Sequence, residues 1–291
     1  MKKSYMYAIV PVLIWSTLAS IAKTILSALP NMEVLSISSV FAFIFLLLLN
    51  IKNGIIKKMD GFTLKDYSVI SGLGFVGLFM YYALYYYGLT QLSSQEACIL
   101  NYLWPIMLVI FSCIILKEKM TTVKGLAMLC SFIGIIIISV GSKESVHGNP
   151  TLGMISCIVA AACYGLFSVM NKKLNYNQNI SMMIMWLVTA VASGIFGNFT
   201  ESWIPIRGAQ WLGLLWLGIV VCALAYLLWA YAINNTKDTS KIANLAFLTP
   251  FLSLVLSGIF LKEQIQPRAF VALIFIIGGI LLQNMFEHKR K

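Results

Sequence analysis

The chain has 291 residues, of which 60% are apolar and 11% charged, and its mean hydropathy is +0.87. A soluble domain is nearer half apolar and a quarter charged, so a large water-soluble core is excluded. The net charge of +11 would suggest nucleic acid in a soluble protein. Here the basic residues lie between apolar stretches, where they orient a chain in a bilayer, and no nucleic-acid partner is expected.

Apolar runs long enough to cross the hydrocarbon as helices recur along the whole length. They predict ten spans, at roughly 5–28, 33–51, 67–88, 94–116, 122–141, 150–172, 180–200, 208–233, 239–261 and 267–286. The first begins MKKSYMYAIVPVLIWSTLASIAK, with Lys2 and Lys3 ahead of an apolar stretch, as a signal peptide would. That stretch is too long for such a segment and no convincing small-residue cleavage site follows, so it reads as a retained span. Lys23 falls toward its outer end.

The third span contains SGLGFVGLFMYYALYYYG, in which Gly72, Gly74 and Gly77 spell a dinucleotide-binding fingerprint. That fingerprint needs a strand before it and a helix starting at it. Here the glycines lie inside an apolar span, where they permit close packing of helix backbones. The following tyrosines stack Tyr81 over Tyr85 and Tyr82 over Tyr86 at i to i+4 spacing. They form an aromatic belt at the headgroups, or, for Tyr81 and Tyr82, face a polar cavity or bond to a neighbouring helix.

The fourth span opens with Glu96 just inside its outer end, and Asn101, Tyr102 and Trp104 precede a mid-span Pro105. Pro250 occupies the same place in the ninth span. Each proline removes a backbone hydrogen bond and kinks its helix, freeing carbonyls that could line a cavity. Glu96 and Lys23 belong to the same side, so a pair between them is geometrically possible. A snorkelling role, a structural pair and a substrate or proton role all fit. The six cysteines lie in apolar segments without a C-x-x-C pair, and the two histidines sit in a loop and the tail, so no metal site is visible.

With the N-terminus inside, 16 of the 21 Lys and Arg fall on the cytoplasmic side and 5 on the outer side. This asymmetry places both termini in the cytoplasm and the protein in the cell membrane. The two halves also match. LNYLWPIMLVIFSCIILKEKMTTVKGLAMLCSFIG aligns without a gap on LAFLTPFLSLVLSGIFLKEQIQPRAFVALIFIIGG, so that Pro105 meets Pro250, Lys117-Glu118 meets Lys262-Glu263 and Gly134 meets Gly279. Trp15-Ser16 and Lys23 have the spacing of Tyr164-Gly165 and Lys172. Five spans per half invert the second copy in the membrane. Inverted repeats are a construction principle of secondary transporters, with the substrate site between repeats near the midplane. The expected fold is therefore an all-α integral membrane protein, residues 1–145 forming one five-helix repeat and 146–291 its inverted copy, around a central cavity.

The stretches QEACILNYLWP (95–105) and VLIWSTLASIAK (12–23) resemble the ten-span drug/metabolite transporter superfamily with two EamA-type repeats. With Asn171-Lys172 and AYLLWAYAI (225–233), the chain is similar in particular to the YddG aromatic amino acid exporters. The resemblance implies a basket of ten helices around a cavity that opens alternately to each side. It also implies efflux of aromatic amino acids. Trp15, Tyr102, Trp104, Tyr226 and Trp229 fall on motif positions near that cavity. Tyr164 stands where relatives often have Trp, and Lys23 where they often have Arg.

The resulting expectation is a secondary transporter, not an enzyme, that exports small metabolites, aromatic amino acids first. Aromatic rings, Tyr82 and Tyr86 among them, would stack on the substrate. Asn101, Ser16 and Thr17 would bind its ammonium and carboxylate, with Glu96 the candidate proton carrier and facilitated diffusion without coupling the equal alternative. No ATP-binding motif is present, no cofactor is expected, and the partners are a small-molecule substrate and the lipid bilayer. Monomer and homodimer remain open. The alternatives are a broader exporter of toxic cations or other metabolites and, from another class, an intramembrane lipid-modifying enzyme. The latter would need clustered Asp, Glu or His at a cytoplasmic face, and no such cluster appears in the sequence.

Overall fold

In lipid every backbone N–H and C=O must be satisfied within the chain, so apolar segments of this length become helices. The computed structural model describes residues 2–117, 121–139, 148–174, 176–234, 245 and 248–288, and among them there is no strand. Among the described residues, seven helical segments are long and apolar enough to cross a membrane: Met6–Leu26, Asn31–Lys52, Leu64–Gln91, Ser94–Ile115, Pro150–Leu174, Gln178–Thr200 and Gln210–Trp229. Thr122–Ser139, Leu248–Phe260 and Pro267–His288 are further apolar helices at the expected fifth, ninth and tenth positions. The first part of the expected ninth span, apart from Leu245, lies outside the described residues.

Several spans are interrupted. The first consists of α1 (Lys2–Ser16) and α2 (Leu18–Leu26), broken at Thr17. The second is α3 (Asn31–Lys52). The third runs from α4 (Leu64–Gly74) through a π-helical stretch, Phe75–Met80, into α5 (Tyr81–Gln91). The fourth is α6 (Ser94–Asn101) and α7 (Trp104–Ile115), separated by Tyr102 and Leu103. Then come α8 (Thr122–Ser139), α9 (Pro150–Leu174) and α10 (Gln178–Thr200). A second π-helical stretch, Trp216–Leu224, joins α11 (Gln210–Leu215) to α12 (Ala225–Asn234). The last two are α13 (Leu248–Phe260) and α14 (Pro267–His288).

Packing pairs each half of the chain with the other. α3 lies against α10, α8 against α14, α5 and α7 against α9, and α1 against α12 and α13. Among the described residues the two non-glycine positions with positive φ are Lys117 and Lys262, each at 55°. Both follow the last helical carbonyl-bonded residue, Leu116 bonding to Ser112 and Leu261 to Ser257, as left-handed caps that stop α7 and α13.

The fingerprint glycines sit in helix. A Cβ on Gly74 would lie 2.8 Å from the Met185 Cα, and one on Gly77 would collide with the Phe167 ring, whereas Gly72 has open space. Two of the three therefore allow α4 and its π-helical extension to touch α10 and α9 closely. Large apolar side chains such as Leu48, Phe132, Val191 and Ile274 point outward, and Trp186, Tyr82, Tyr85 and Tyr86 are buried inside.

Pro105 acts differently from a mid-helix kink. Pro105 is in the first turn of α7, because the fourth span breaks before it at Tyr102–Leu103. At that position its missing N–H would have had no helical partner, so it starts a half-helix instead of bending a continuous one. Pro250 lies within the described helix Leu248–Phe260, and the two residues before that helix, 246 and 247, are outside the described residues.

Candidate functional site

The interruptions converge on one cavity of about 70 Å³. This is several times the roughly 10–15 Å³ that a single water occupies. Trp15, Leu18 and Ala19 come from the break between α1 and α2. Tyr81, Tyr82 and Tyr85 come from the start of α5, and Cys98, Asn101, Tyr102 and Trp104 from the break between α6 and α7. Tyr164 of α9, Tyr226 and Trp229 of α12, and Thr249 of α13 complete the lining.

The wall is a continuous run of rings. Trp15 meets Tyr226 edge-on and Trp229 at a tilt, both at 5.5 Å between ring centres. Trp104 meets Tyr164 edge-on at 5.3 Å, and Tyr164 lies 5.0 Å from Tyr81. The predicted stacking within α5 holds in one pair, Tyr81 and Tyr85, which are within 10° of parallel at 6.1 Å. Tyr82 and Tyr86 meet edge-on instead, at 77°. Edge-to-face pairs are favoured because ring edges are positive and faces negative.

Among the described residues, the polar groups lining the cavity are few and none is charged. Asn101 Nδ2 donates to the Tyr81 hydroxyl at 3.0 Å, and the Tyr82 and Tyr226 hydroxyls are 3.5 Å apart. No described Asp, Glu, Lys, Arg or His lines the cavity. Among the described residues, no three His, Cys, Asp or Glu side chains come together as metal ligands would.

Of the residues expected at the site, Trp15, Tyr82, Asn101, Tyr102, Trp104, Tyr164, Tyr226 and Trp229 border the cavity, and the others do not. The Ser16 hydroxyl donates to the Leu13 carbonyl at 2.7 Å, and Thr17 donates to Ile14 while accepting from Trp216 Nε1 at 2.9 Å. Both hydroxyls thus serve the helix break instead of a ligand. Tyr86 is fully buried behind Tyr82. Tyr81, Tyr85, Cys98 and Thr249 were not singled out as binding residues. Thr249 had a signal: it precedes Pro250 as Trp104 precedes Pro105.

The pair between Lys23 and Glu96 does not form. Lys23 Nζ donates to the backbone carbonyls of Leu89, at 3.2 Å, and Leu92, where it satisfies the free carbonyl end of α5. Glu96 closes a capping box with Ser93 at the start of α6, and its other oxygen pairs with Arg268 at 3.2 Å. Around them lies a polar cluster at one end of the bundle. Glu263 accepts from the Ser94 backbone N–H at 2.9 Å and the Ser94 hydroxyl at 2.8 Å. That hydroxyl also lies 2.7 Å from Ser257, which is 3.3 Å from Ser20. Gln95 donates to the Gln264 carbonyl at 3.1 Å. The cluster ties α2 and α6 to α13 and the segment after it.

Among the described residues, an all-helical bundle with seven membrane-length apolar helices surrounds a cavity walled by aromatic rings, which is the build of a membrane transporter. The comparisons agree. The profile of the EamA-like transporter family matches residues 2–140 and again 151–285, and the chain belongs to that family. It is accordingly a transporter and not an enzyme. An uncharacterized transporter of Clostridium kluyveri is 27% identical over all of this chain and 95% of its own length. The aromatic amino acid exporter YddG of Ancylobacter novellus is 23% identical over 76% of each chain. A protein of Streptantibioticus cattleyicolor described as a "Probable terminal-alkyne amino-acid exporter" is 24% identical over 76% of this chain and 74% of its own. A crystal structure at 19% identity superposes over 100% of this chain and 99% of the other with a TM-score of 0.73, which shows the shared fold.

Proposed function

We propose that the protein exports small metabolites across the cell membrane by alternating access, aromatic amino acids first. The observation that carries this reading is the cavity walled by Trp15, Tyr82, Trp104, Tyr164, Tyr226 and Trp229, with the Asn101 amide among the rings and no charged side chain among its described lining residues. Rings of that kind supply stacking area for an apolar side chain. Two relatives named as amino acid exporters support the substrate class.

In this reading residues 1–145 and 146–291 are inverted five-helix repeats, ten spans in all, with both termini in the cytoplasm. The twofold pattern is supported by the double family match, by the left-handed caps at Lys117 and Lys262, and by the π-helical stretches Phe75–Met80 and Trp216–Leu224. Rocking of one repeat on the other would move access across a fixed site. The cluster of Ser94, Glu96, Glu263 and Arg268 then closes the outer side. Because Glu96 is held by Ser93 and Arg268, it acts as a structural group, and the substrate's own gradient drives transport.

The test is uptake of labelled phenylalanine, tyrosine and tryptophan into proteoliposomes, with and without a pH gradient, against threonine and methylviologen as competitors. Saturable aromatic uptake that the gradient leaves unchanged is expected. No aromatic uptake discards the substrate class, and gradient-dependent uptake discards the uncoupled mechanism.

A further inference from the structure

Asn101 is buried at the edge of the cavity, with 7% of its surface exposed. Its Nδ2 is used by the Tyr81 hydroxyl, and its Oδ1 is a buried oxygen without a partner. A buried acceptor left unmade is costly, because it has lost water and gained nothing. An unmatched side-chain oxygen beside the cavity calls for a ligand that brings an N–H or O–H donor.

The surroundings decide which donor. Ring faces are electron-rich and attract cations, and the cavity presents the rings of Trp15, Tyr81, Tyr82, Trp104, Tyr164 and Tyr226. Among the described residues, no Lys, Arg or His lines it to meet an anion. A carboxylate would be placed among ring faces without a counter-charge. A primary ammonium would donate to Asn101 Oδ1 and lie against rings.

We propose that Asn101 is the ammonium subsite, and that the cavity recognises an aromatic primary amine whether or not a carboxylate accompanies it. The substrate class then extends to aromatic monoamines. The inference deepens the amino-acid reading given above and rests on its placement of the substrate in this cavity. Thr249 is the position equivalent to Trp104 in the other repeat, so the two repeats differ at the cavity, with a threonine lining it from one and a tryptophan from the other. That asymmetry suits a ligand with one polar and one aromatic end.

The experiment uses the purified full-length protein and two probes that divide phenylalanine in half. 2-Phenylethylamine has the amine without the carboxylate, and 3-phenylpropionate has the carboxylate without the amine. Each is titrated by tryptophan fluorescence and used to compete with labelled-phenylalanine uptake. The amine is expected to bind within a few-fold of phenylalanine, and the acid at least tenfold more weakly. Asn101→Leu is expected to lose amine affinity tenfold or more, and Asn101→Asp, which keeps an acceptor, to retain it. An acid that binds as well as the amine, binding of neither probe, or wild-type amine affinity in Asn101→Leu would overturn the subsite. The two readings fail separately. Asn101-dependent amine binding without phenylalanine uptake removes amino acid export and keeps the subsite. Phenylalanine uptake unaffected by the amine does the reverse.

Discussion

Ser94 gives both its backbone N–H and its hydroxyl to the two carboxylate oxygens of Glu263, 169 positions away, at 2.9 and 2.8 Å. A carboxylate at a helix start satisfies a donor that the helix itself cannot, and its charge suits the positive end of the helix. The contact therefore holds α6, which carries the cavity residues Cys98 and Asn101, against the segment following α13.

Replacing Glu263 by Gln should loosen this clasp. Hydrogen bonds to a charged group contribute about 1.5–3 kcal/mol, and the amide keeps only part of that. Cys98 lies one turn below Ser94 and borders the cavity, so it reports the opening. With the other cysteines replaced, labelling of Cys98 by a membrane-impermeant maleimide should quicken at least several-fold from the outer side in right-side-out vesicles. An unchanged rate would mean that the cluster does not close that side.

Glu96→Gln should leave both transport and its response to a pH gradient unaltered. A glutamine can still close the capping box with Ser93, so only the charge pairing with Arg268 is lost; both side chains are largely buried, so this costs more than an exposed pair would, about 1.5–3 kcal/mol. A drop in melting temperature with unchanged uptake is expected in proteoliposomes. Loss of a gradient response present in the unaltered protein would make Glu96 a proton carrier.

Trp104→Ala should reduce uptake at least tenfold while the protein remains folded in the membrane. The indole forms part of the cavity wall and its contact with Tyr164 is one edge-to-face pair, about 0.5–1.5 kcal/mol beyond area burial. Full uptake with a normal elution profile would remove Trp104 from the site.

The glycines of the third span separate packing from nucleotide binding. Gly74→Ala places a methyl 2.8 Å from the Met185 Cα and should destabilise by about 1–3 kcal/mol. Gly72→Ala meets open space and should be neutral or stabilising by about 0.5–1 kcal/mol through helix propensity. Thermal unfolding of the two variants reads the difference, and equal melting temperatures would contradict the close approach of α4 and α10.

The helices were legible because their cause is local and strong. A run of apolar residues in a bilayer has one way to satisfy its own backbone, and its length and composition announce it. The cavity aromatics were legible in part through short motifs around Trp15 and Tyr102–Trp104. Thr249 was hidden by its plainness, and Ser16 and Thr17 were misread because a hydroxyl in an apolar helix commonly bonds to its own backbone three or four residues back.

Sequence alone determined that this is a helical membrane protein with matching halves, since hydropathy and internal alignment need no knowledge of contacts. The tertiary structure decided which way each side chain faces. A span that is apolar all round carries little periodicity to show which side meets lipid and which meets its neighbours. It also decided the partner of Glu96. Lys23 and Arg268 are both cations near it, and only the packing of α6 against the start of α14 brings the guanidinium, 172 positions along the chain, within 3.2 Å while Lys23 caps α5.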